Sequence, residues 1–527
     1  MTPLPVITAL ARAGALAQAA RLFEESGYAR RGEDPASLAV KGRLLKDQAL
    51  SQDGEARRIL LGEAAAAYQA ADAIAPQPYL LINAATLAML GGESEHARTL
   101  AGEVLARLTA PDIAETPYWI AATRAEALLL QGDVAGADAA LATAIACDPT
   151  GWSDYASTLR QFSLICDAAR IDPAWMTPHR PPRSLHFVGH MGVASEDSAD
   201  LQRAVSTILA EERVGFAYGA LAAGADIVIA EALIAHGVEL HIILPTQREA
   251  FVAQSVVPFG AGWQARFETC IARAASVRSV TQVEGDYEPL ATALGGDVAM
   301  GAAWLNARMI ESEALQLLVI DEGAGEFGDG AGTARDAVVW QRSGARQRPI
   351  VWRRSAAVPP SLGLREGRAD RRLMALLHVG FEAIDSAGDA AYAAALDGGI
   401  AAFWADAKAR NPIVNQPSGN ARIFGFVSAL AAANFAIALR ANHLDLPYPM
   451  MIAGHYGLAH LHGGEVSGPA IAALIALSHA IMPGTITIGD EFAAALSLRS
   501  GDGLRTQYVG DCVLPNGGST RLFGLGG

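Results

Sequence analysis

Three textures follow one another when apolar and polar positions are read along the chain. Up to about residue 178, alanine-rich apolar positions recur every three to four residues, the period of helices packed on one face, with no strand-like run between them. The segment YWIAATRAEALLLQGDVAGADAALATAIACDP (118–149) predicts two helices around a turn at Gly132. From residue 184 the period changes. LHFVGH (185–190), ELHIILP (239–245), LQLLVIDEG (315–323) and RPIVW (348–352) are short apolar runs, and GFAYGALAAGADIVIAEALIAHGVELHIILP (215–245) reads as strand, glycine-rich turn, helix and strand. Strands alternating with helices, most emptying into a glycine-bearing loop, predict an α/β doubly wound parallel sheet. From about residue 370 the pattern shifts again. LMALLHVGFEAID (373–385) precedes NPIVNQPSGNARIFGF (411–426), whose turn-formers between apolar stretches predict a hairpin. Apolar helices at 427–439 and 469–482, a strand at 450–461 and two closing strands within 508–525 complete an α+β sandwich with a mixed sheet.

The proline-rich joint DPAWMTPHRPPRS (172–184) separates the first two textures. The expected organisation is therefore multidomain: an all-α repeat at 1–178, an α/β domain at 184–356 and an α+β domain at 370–527. A chain of 527 residues, 51% hydrophobic and 18% charged, has the composition of folded domains rather than extended disorder. A net charge of −15 argues against nucleic acid as a partner, yet leaves room for a compact anion held by backbone N–H groups. Cys147, Cys166, Cys270 and Cys512 are scattered without metal-site or disulfide-framework spacing. The N-terminus lacks the basic-then-apolar order of a signal peptide, and the two most apolar windows fall short of the roughly 20 residues a bilayer needs. The expectation is a cytoplasmic protein without membrane insertion.

The first region repeats itself. Ala64, Tyr68 and Ala71 have counterparts at Ala97, Ala101 and Val104 and again at Ala137, Leu141 and Ala144, with offsets of 33 and 40 residues. This resembles the tetratricopeptide repeat, a helix–turn–helix unit that stacks into a solenoid; an alanine-rich bundle would share some of the matches. The resemblance implies a surface for a protein partner and no chemistry.

In the second region three loops belong at the carboxyl edge of the sheet, where such folds bind ligands: GHM (189–191), YGALAAGAD (218–226) and GDGAGTARD (328–336). Glycines there serve either tight turns or the convergence of N–H groups on a phosphate. On the second reading the binding residues are Gly189, His190, Gly219, Gly224, Asp226, Gly330, Gly332 and Thr333, and the ligand is a nucleotide or nucleotide-derived molecule. His190 is equally open to being a satisfied loop histidine. Asp321, Glu322 and Asp329 crowd the third loop and would repel a phosphate unless a cation intervened. These loops, with Ser255–Val256, Trp263, Arg266 and Phe267, run in the order of SLOG-type nucleotide sensors related to the LOG phosphoribohydrolases. In the LOG motif GGxGTxxE the glutamate does the work; here Asp336 stands in its place and Asp329 replaces a glycine, which favours binding over N-glycosidic hydrolysis. Hydrolysis with Asp336 or Glu231 as acid/base is the alternative.

The third region resembles class III nucleotidyl cyclases in LLHVGF, SGNARIFGF, IAGHYG, PGTITIG and QYVG. By that resemblance the two metal-binding aspartates correspond to Gly380 and Asn420, and the transition-state Asn and Arg to Ala472 and Ala476. Holding Mg²⁺ under a triphosphate takes carboxylates, so the resemblance implies a silent cyclase domain with no catalytic or metal-binding residue, serving homodimerisation. An active cyclase using Asp385 or Asp389 is the alternative. Of His455, His460 and His462, the last two would share one strand face, as histidines of a sheet or, with a converging ligand, a metal site. The basic cluster REGRADRR (365–372) reads as a solvated linker or a phosphate contact. Together these features point to a nucleotide-sensing or signalling scaffold.

Overall fold

Among the described residues, nine α-helices build the N-terminal region: α1 (Leu4–Arg12), α2 (Leu16–Glu25), α3 (Pro35–Ala49), α4 (Gly54–Ile74), α5 (Pro78–Leu90), α6 (Ser94–Arg107), α7 (Pro117–Gln131), α8 (Val134–Cys147) and α9 (Trp152–Ala169). They belong to a computed structural model that describes residues 2–110, 113–281, 289–321, 332–354, 370–381, 394, 399–443, 446, 448–499, 504–514 and 519–526. By its contacts the chain divides into two units, Met1–Pro181 with Met309–Glu311, and Pro182–Arg308 with Ser312–Gly527.

In the first unit, local chemistry sets the helix ends. Thr116 caps α7 by accepting from the Trp119 N–H, Pro117 occupies its first position, and Gly132 closes it in the left-handed conformation. Asp133 then caps α8 through the Gly136 N–H. The nine repeated positions on α4, α6 and α8 are all buried, because small side chains let successive helices approach closely. The longer second offset arises mainly in the connection 108–116 between α6 and α7, against 75–77 between α4 and α5.

The second unit holds two sheets. The first comprises β1 (Arg183–Gly189), β2 (Val214–Gly219), β3 (Glu239–Leu244), β4 (Ser276–Ser279), β5 (Ala314–Ile320) and β6 (Arg346–Val351), in the order β4-β3-β2-β1-β5-β6 and parallel throughout. Central β1 and β5 are buried along most of their length, as a sheet covered on both faces requires, whereas edge strands β4 and β6 carry the polar residues. Its helices are α10 (Ser198–Glu212), α11 (Ala225–Ala235), α12 (Arg248–Ser255), α13 (Ala261–Arg273), α14 (Pro289–Met309) and α15 (Thr333–Arg342). Residues of α10, α11 and α13 share a core with Leu185 and Phe187 of β1. On the opposite face, Trp340 of α15 stacks on His186 with ring centroids 5.8 Å apart, and Asn306 of α14 donates to Ser184 at 2.9 Å.

The second sheet is mixed. Its strands are β7 (Arg371–Phe381), β8 (Val414–Ser418), β9 (Ala421–Phe426), β10 (Met450–His462), β11 (Glu465–Ser467), β12 (Ile486–Gly489), β13 (Arg505–Val513) and β14 (Ser519–Gly526), and among the described residues only β10 and β12 pair in parallel. The order is β13-β14-β12-β10-β7-β9-β8, with β11 beside β10. Its helices are α16 (Ala401–Ala409), α17 (Ala429–Asn442), α18 (Pro469–Ser478) and α19 (Asp490–Ser497). The expected hairpin forms between β8 and β9: Ser418 pairs with Ala421, and Gly419 turns the chain at φ 61° with Asn420 beside it at the tip.

Helix α14 did not stand out in the sequence, yet it joins the two sheets' layers. It is buried along nearly its whole length, and at Gly301 it lies so close to α19 that a Cβ would collide with the Ala494 backbone. Among the described residues no helix is long and apolar enough to cross a membrane.

Candidate functional site

The strand order fixes where a site can form. From β1 the chain proceeds to β2, β3 and β4 on one side, then returns to place β5 and β6 on the other. In open α/β sheets ligands bind where the strand order reverses in this way, which here is at the carboxyl ends of β1 and β5. Gly189 ends β1 at this point, with Ala225 so close that a Cβ on Gly189 would overlap it. Gly224 precedes α11 with φ 108°, and a Cβ on it would come within 3.1 Å of the His190 carbonyl. Gly219 lies deeper, against Phe187.

Asp226, in the first turn of α11, ties these loops together. Its carboxylate accepts from the Gly189 N–H at 2.8 Å and the Ala222 N–H at 3.2 Å. His190 is held by two main-chain carbonyls, Met191 at 2.9 Å from Nδ1 and Trp352 at 2.7 Å from Nε2. Two groups that the sequence aimed at a ligand, the Gly189 N–H and the His190 ring, thus have partners within the protein. From the third loop, Gly332 caps α15 and Thr333 begins it, while Gly330, Glu322 and Asp329 lie outside the described residues.

One turn into α15, Asp336 is buried and accepts from Arg335 Nη1 at 2.9 Å. Arg335 also donates to Asp297 of α14 at 2.6 Å, and the Tyr456 hydroxyl from β10 donates to the other Asp297 oxygen at 3.2 Å. Burial pushes the Asp336 carboxyl up to about 7; Arg335 opposes this, and Asp297 and Asp226 add to it. Burial likewise pushes Asp226 up to about 7 despite its two N–H bonds. Carboxyls in this state can accept or give a proton near neutrality and hydrogen bond a hydroxyl or amine either way.

A second cluster sits where α19 begins. Asp490 accepts from Arg278 of β4 at 2.8 Å and from Arg521 of β14 at 2.9 Å, and Arg278 also reaches Glu491 at 3.4 Å. Burial alone would raise the Asp490 carboxyl, but the two guanidiniums outweigh it and hold it below the usual carboxylate range. Of the other sequence candidates, Glu231 is engaged by a two-pronged pair with Arg266 at 2.7 Å, and Arg266 covers Trp263 at 4.2 Å. His460 bonds Asp370 at 2.8 Å, and His455 faces Glu491 at 3.9 Å. Gly380 packs beside Ala421, and Ala472 and Ala476 lie on α18; Asp385, Asp389 and most of the 365–372 cluster are outside the described residues. Among the described residues no group of three or more His, Cys, Asp or Glu could hold a metal.

Sequence reading missed Asp297, Arg335, Tyr456, Arg278, Asp490 and Arg521. Asp297 alone left a signal, as the only charge in the apolar run 289–305.

Residues 6–88 match the family model TPR-S, Tetratricopeptide Repeats-Sensor. The match covers α1 to most of α5 and stops before the α7–α8 pair, where the repeat pattern is clearest in the sequence. No curated protein matches the chain. Among solved structures, an adenylyl cyclase CyaB from P. aeruginosa is similar at 13% identity, covering 29% of this chain and 94% of that one, with a TM-score of 0.25. An adenylate/guanylate cyclase/hydrolase from Silicibacter pomeroyi gives 19% identity, 29% and 96% coverage and 0.24. An adenylate cyclase from Trypanosoma brucei gives 14%, 29% and 87%, and 0.25. Scores this low carry no conclusion about fold or activity.

Proposed function

We propose that this chain is a cytoplasmic nucleotide-sensing scaffold of three functional parts, 1–178, 184–356 and 370–527. The nucleotide or nucleotide-derived ligand sits in the crevice between β1 and β5, at a SLOG-like site formed by Gly189, His190, Gly219, Gly224, Asp226, Gly330, Gly332 and Thr333. The repeats bind a protein partner. The mixed sheet is a silent cyclase-like platform through which two copies pair. The observation that carries the reading is the reversal of strand order between β1 and β5, with Asp226 and Asp336 buried beside it. Since Asp226 occupies the Gly189 N–H, the ligand's hydroxyls and amino groups meet carboxyls, and its phosphate meets the N-terminal end of α15. Mass spectrometry of small molecules carried through native purification tests this. A nucleotide present in the unmodified protein and lost in Gly332→Glu supports it; no nucleotide in either overturns it. Light scattering that gives a monomer at working concentration removes the pairing.

A second reading, N-glycosidic hydrolysis, is favoured by the Asp336 carboxyl lying near neutrality, the condition for a general acid. Free base released from nucleoside monophosphates by the protein, and not by Asp336→Asn, would replace sensing with catalysis.

A further inference from the structure

Helix α17 carries an arginine whose charge meets no counterpart among the described residues. Ala429, Ala433 and Ala436 form its buried stripe, and Arg440, itself half-buried, follows on that stripe at the next helical position. The Arg440 Nη1 is buried and has no hydrogen-bond partner among the described residues. Burial lowers the proton affinity of its guanidinium, and among the described residues no neighbouring charge offsets that cost. Other arginines of this sheet are provided for: Arg410 pairs with Asp406, Arg422 donates to Asn415, and Arg521 pairs with Asp490. The negative end of α17 favours a cation in its last turn, but a helix end compensates only part of the cost of a buried charge.

Its position in the fold is definite. His443, one turn beyond Arg440, has its ring 5.0 Å from Phe403, which lies 5.0 Å from Phe381 at the end of β7. Phe381 pairs with Met450 at the start of β10. Arg440 therefore belongs to the sheet end where β7 finishes and β10 begins. Gly380 and the Asn420 hairpin tip lie at this same end, with Gly380 against Ala421.

We propose that Arg440 is the anchor of an oxyanion site at this end of the mixed sheet, taking the phosphate or carboxylate group of a small ligand without a metal ion. A guanidinium presents a planar fork of N–H donors that matches either group and needs no cation between them. This site is separate from the crevice of the parallel sheet and stands whether or not that crevice binds a nucleotide.

The test is thermal unfolding of the full chain, with a chelator present, titrated with inorganic phosphate, pyrophosphate and succinate against chloride at equal ionic strength. In the unmodified protein at least one oxyanion raises the midpoint saturably; in Arg440→Met the saturable part is lost, leaving the general stabilisation that phosphate gives any protein. Arg440→Lys, with charge but no fork, weakens the response at least tenfold in half-saturating concentration. Free of ligand, Arg440→Met unfolds at the same or a higher temperature than the unmodified protein, which separates loss of binding from loss of folding. Response to phosphate and pyrophosphate alone identifies a phosphate ligand, and response to succinate alone a carboxylate. The same titrations are run in the Gly332→Glu background, where the phosphate end of the crevice is blocked, so a saturable response that survives there and is lost on adding Arg440→Met belongs to the mixed sheet, whereas one that vanishes with Gly332→Glu alone belongs to the crevice. No saturable response in the unmodified protein, or an equal one in Arg440→Met, overturns the proposal.

Discussion

Asp336 and Asp490 are both first-turn acids of their helices, both buried and both bonded to arginine, yet their carboxyls are driven in opposite directions. The helix end favours the charged form in each case, so it does not explain the difference. The ratio of charges does. Asp490 has two guanidiniums, one from each sheet. Asp336 shares a single Arg335 with Asp297 and feels Asp226 as well. The Asp490 cluster, with Arg278, Arg521 and Glu491, is close to neutral when fully ionised and acts as a fastener between the sheets. The Asp336 cluster has excess acid and is most comfortable holding a proton, the state expected of a group that handles a ligand or a proton rather than one that only fastens.

This contrast can be broken at several points. The largest effect is expected from Asp490→Ala, which strands two guanidiniums; a loss of about 3–5 kcal/mol in denaturant unfolding is predicted. A loss under about 1 kcal/mol would mean that water already serves the arginines and that the cluster is no fastener. Next comes pH. Asp226 and Asp336 bind protons more tightly folded than unfolded, so stability should fall as pH rises from about 4 through about 7, by up to ~1.4 kcal/mol per pH unit for each group. Asp336→Asn should remove its share of that slope. Asp490 acts with the opposite sign: its contribution is present above its unfolded value and disappears only as pH falls below about 4. A stability profile flat from pH 5 to 7 would sink the assignment of the acid-rich cluster. Gly301→Ala forces α14 from α19 and should cost about 1–3 kcal/mol, read in the same unfolding experiment. Tyr456→Phe removes one hydrogen bond to Asp297 and should cost about 1 kcal/mol; no change at all would show that Asp297 is held by Arg335 alone.

What could be read from the sequence was whatever depends on near neighbours. Helix period, the closing Gly132 and the Gly419 turn are written within a few residues of where they act. The parallel sheet and the order of its loops followed from the same local signs. The four-residue strand β4 was hidden because SVRS at a sheet edge has no apolar run to betray it. The ionic clusters were hidden for another reason: Arg278 and Asp490 are 212 positions apart, and Asp297 and Tyr456 are 159 apart, so nothing local couples them. Glycines that looked like ligand cradles at 189 and 219 are also required by packing against Ala225 and Phe187, and composition alone does not separate the two uses.

The seat of Gly301 on the Ala494 backbone bears on how the protein can be dissected. A helix resting main chain to main chain on its neighbour has no side-chain cushion to absorb a shift, so the two layers must tilt or travel as one piece. Cutting the polypeptide anywhere in 355–369 would bare an apolar flank on each half, and co-expressed halves should be recovered only together.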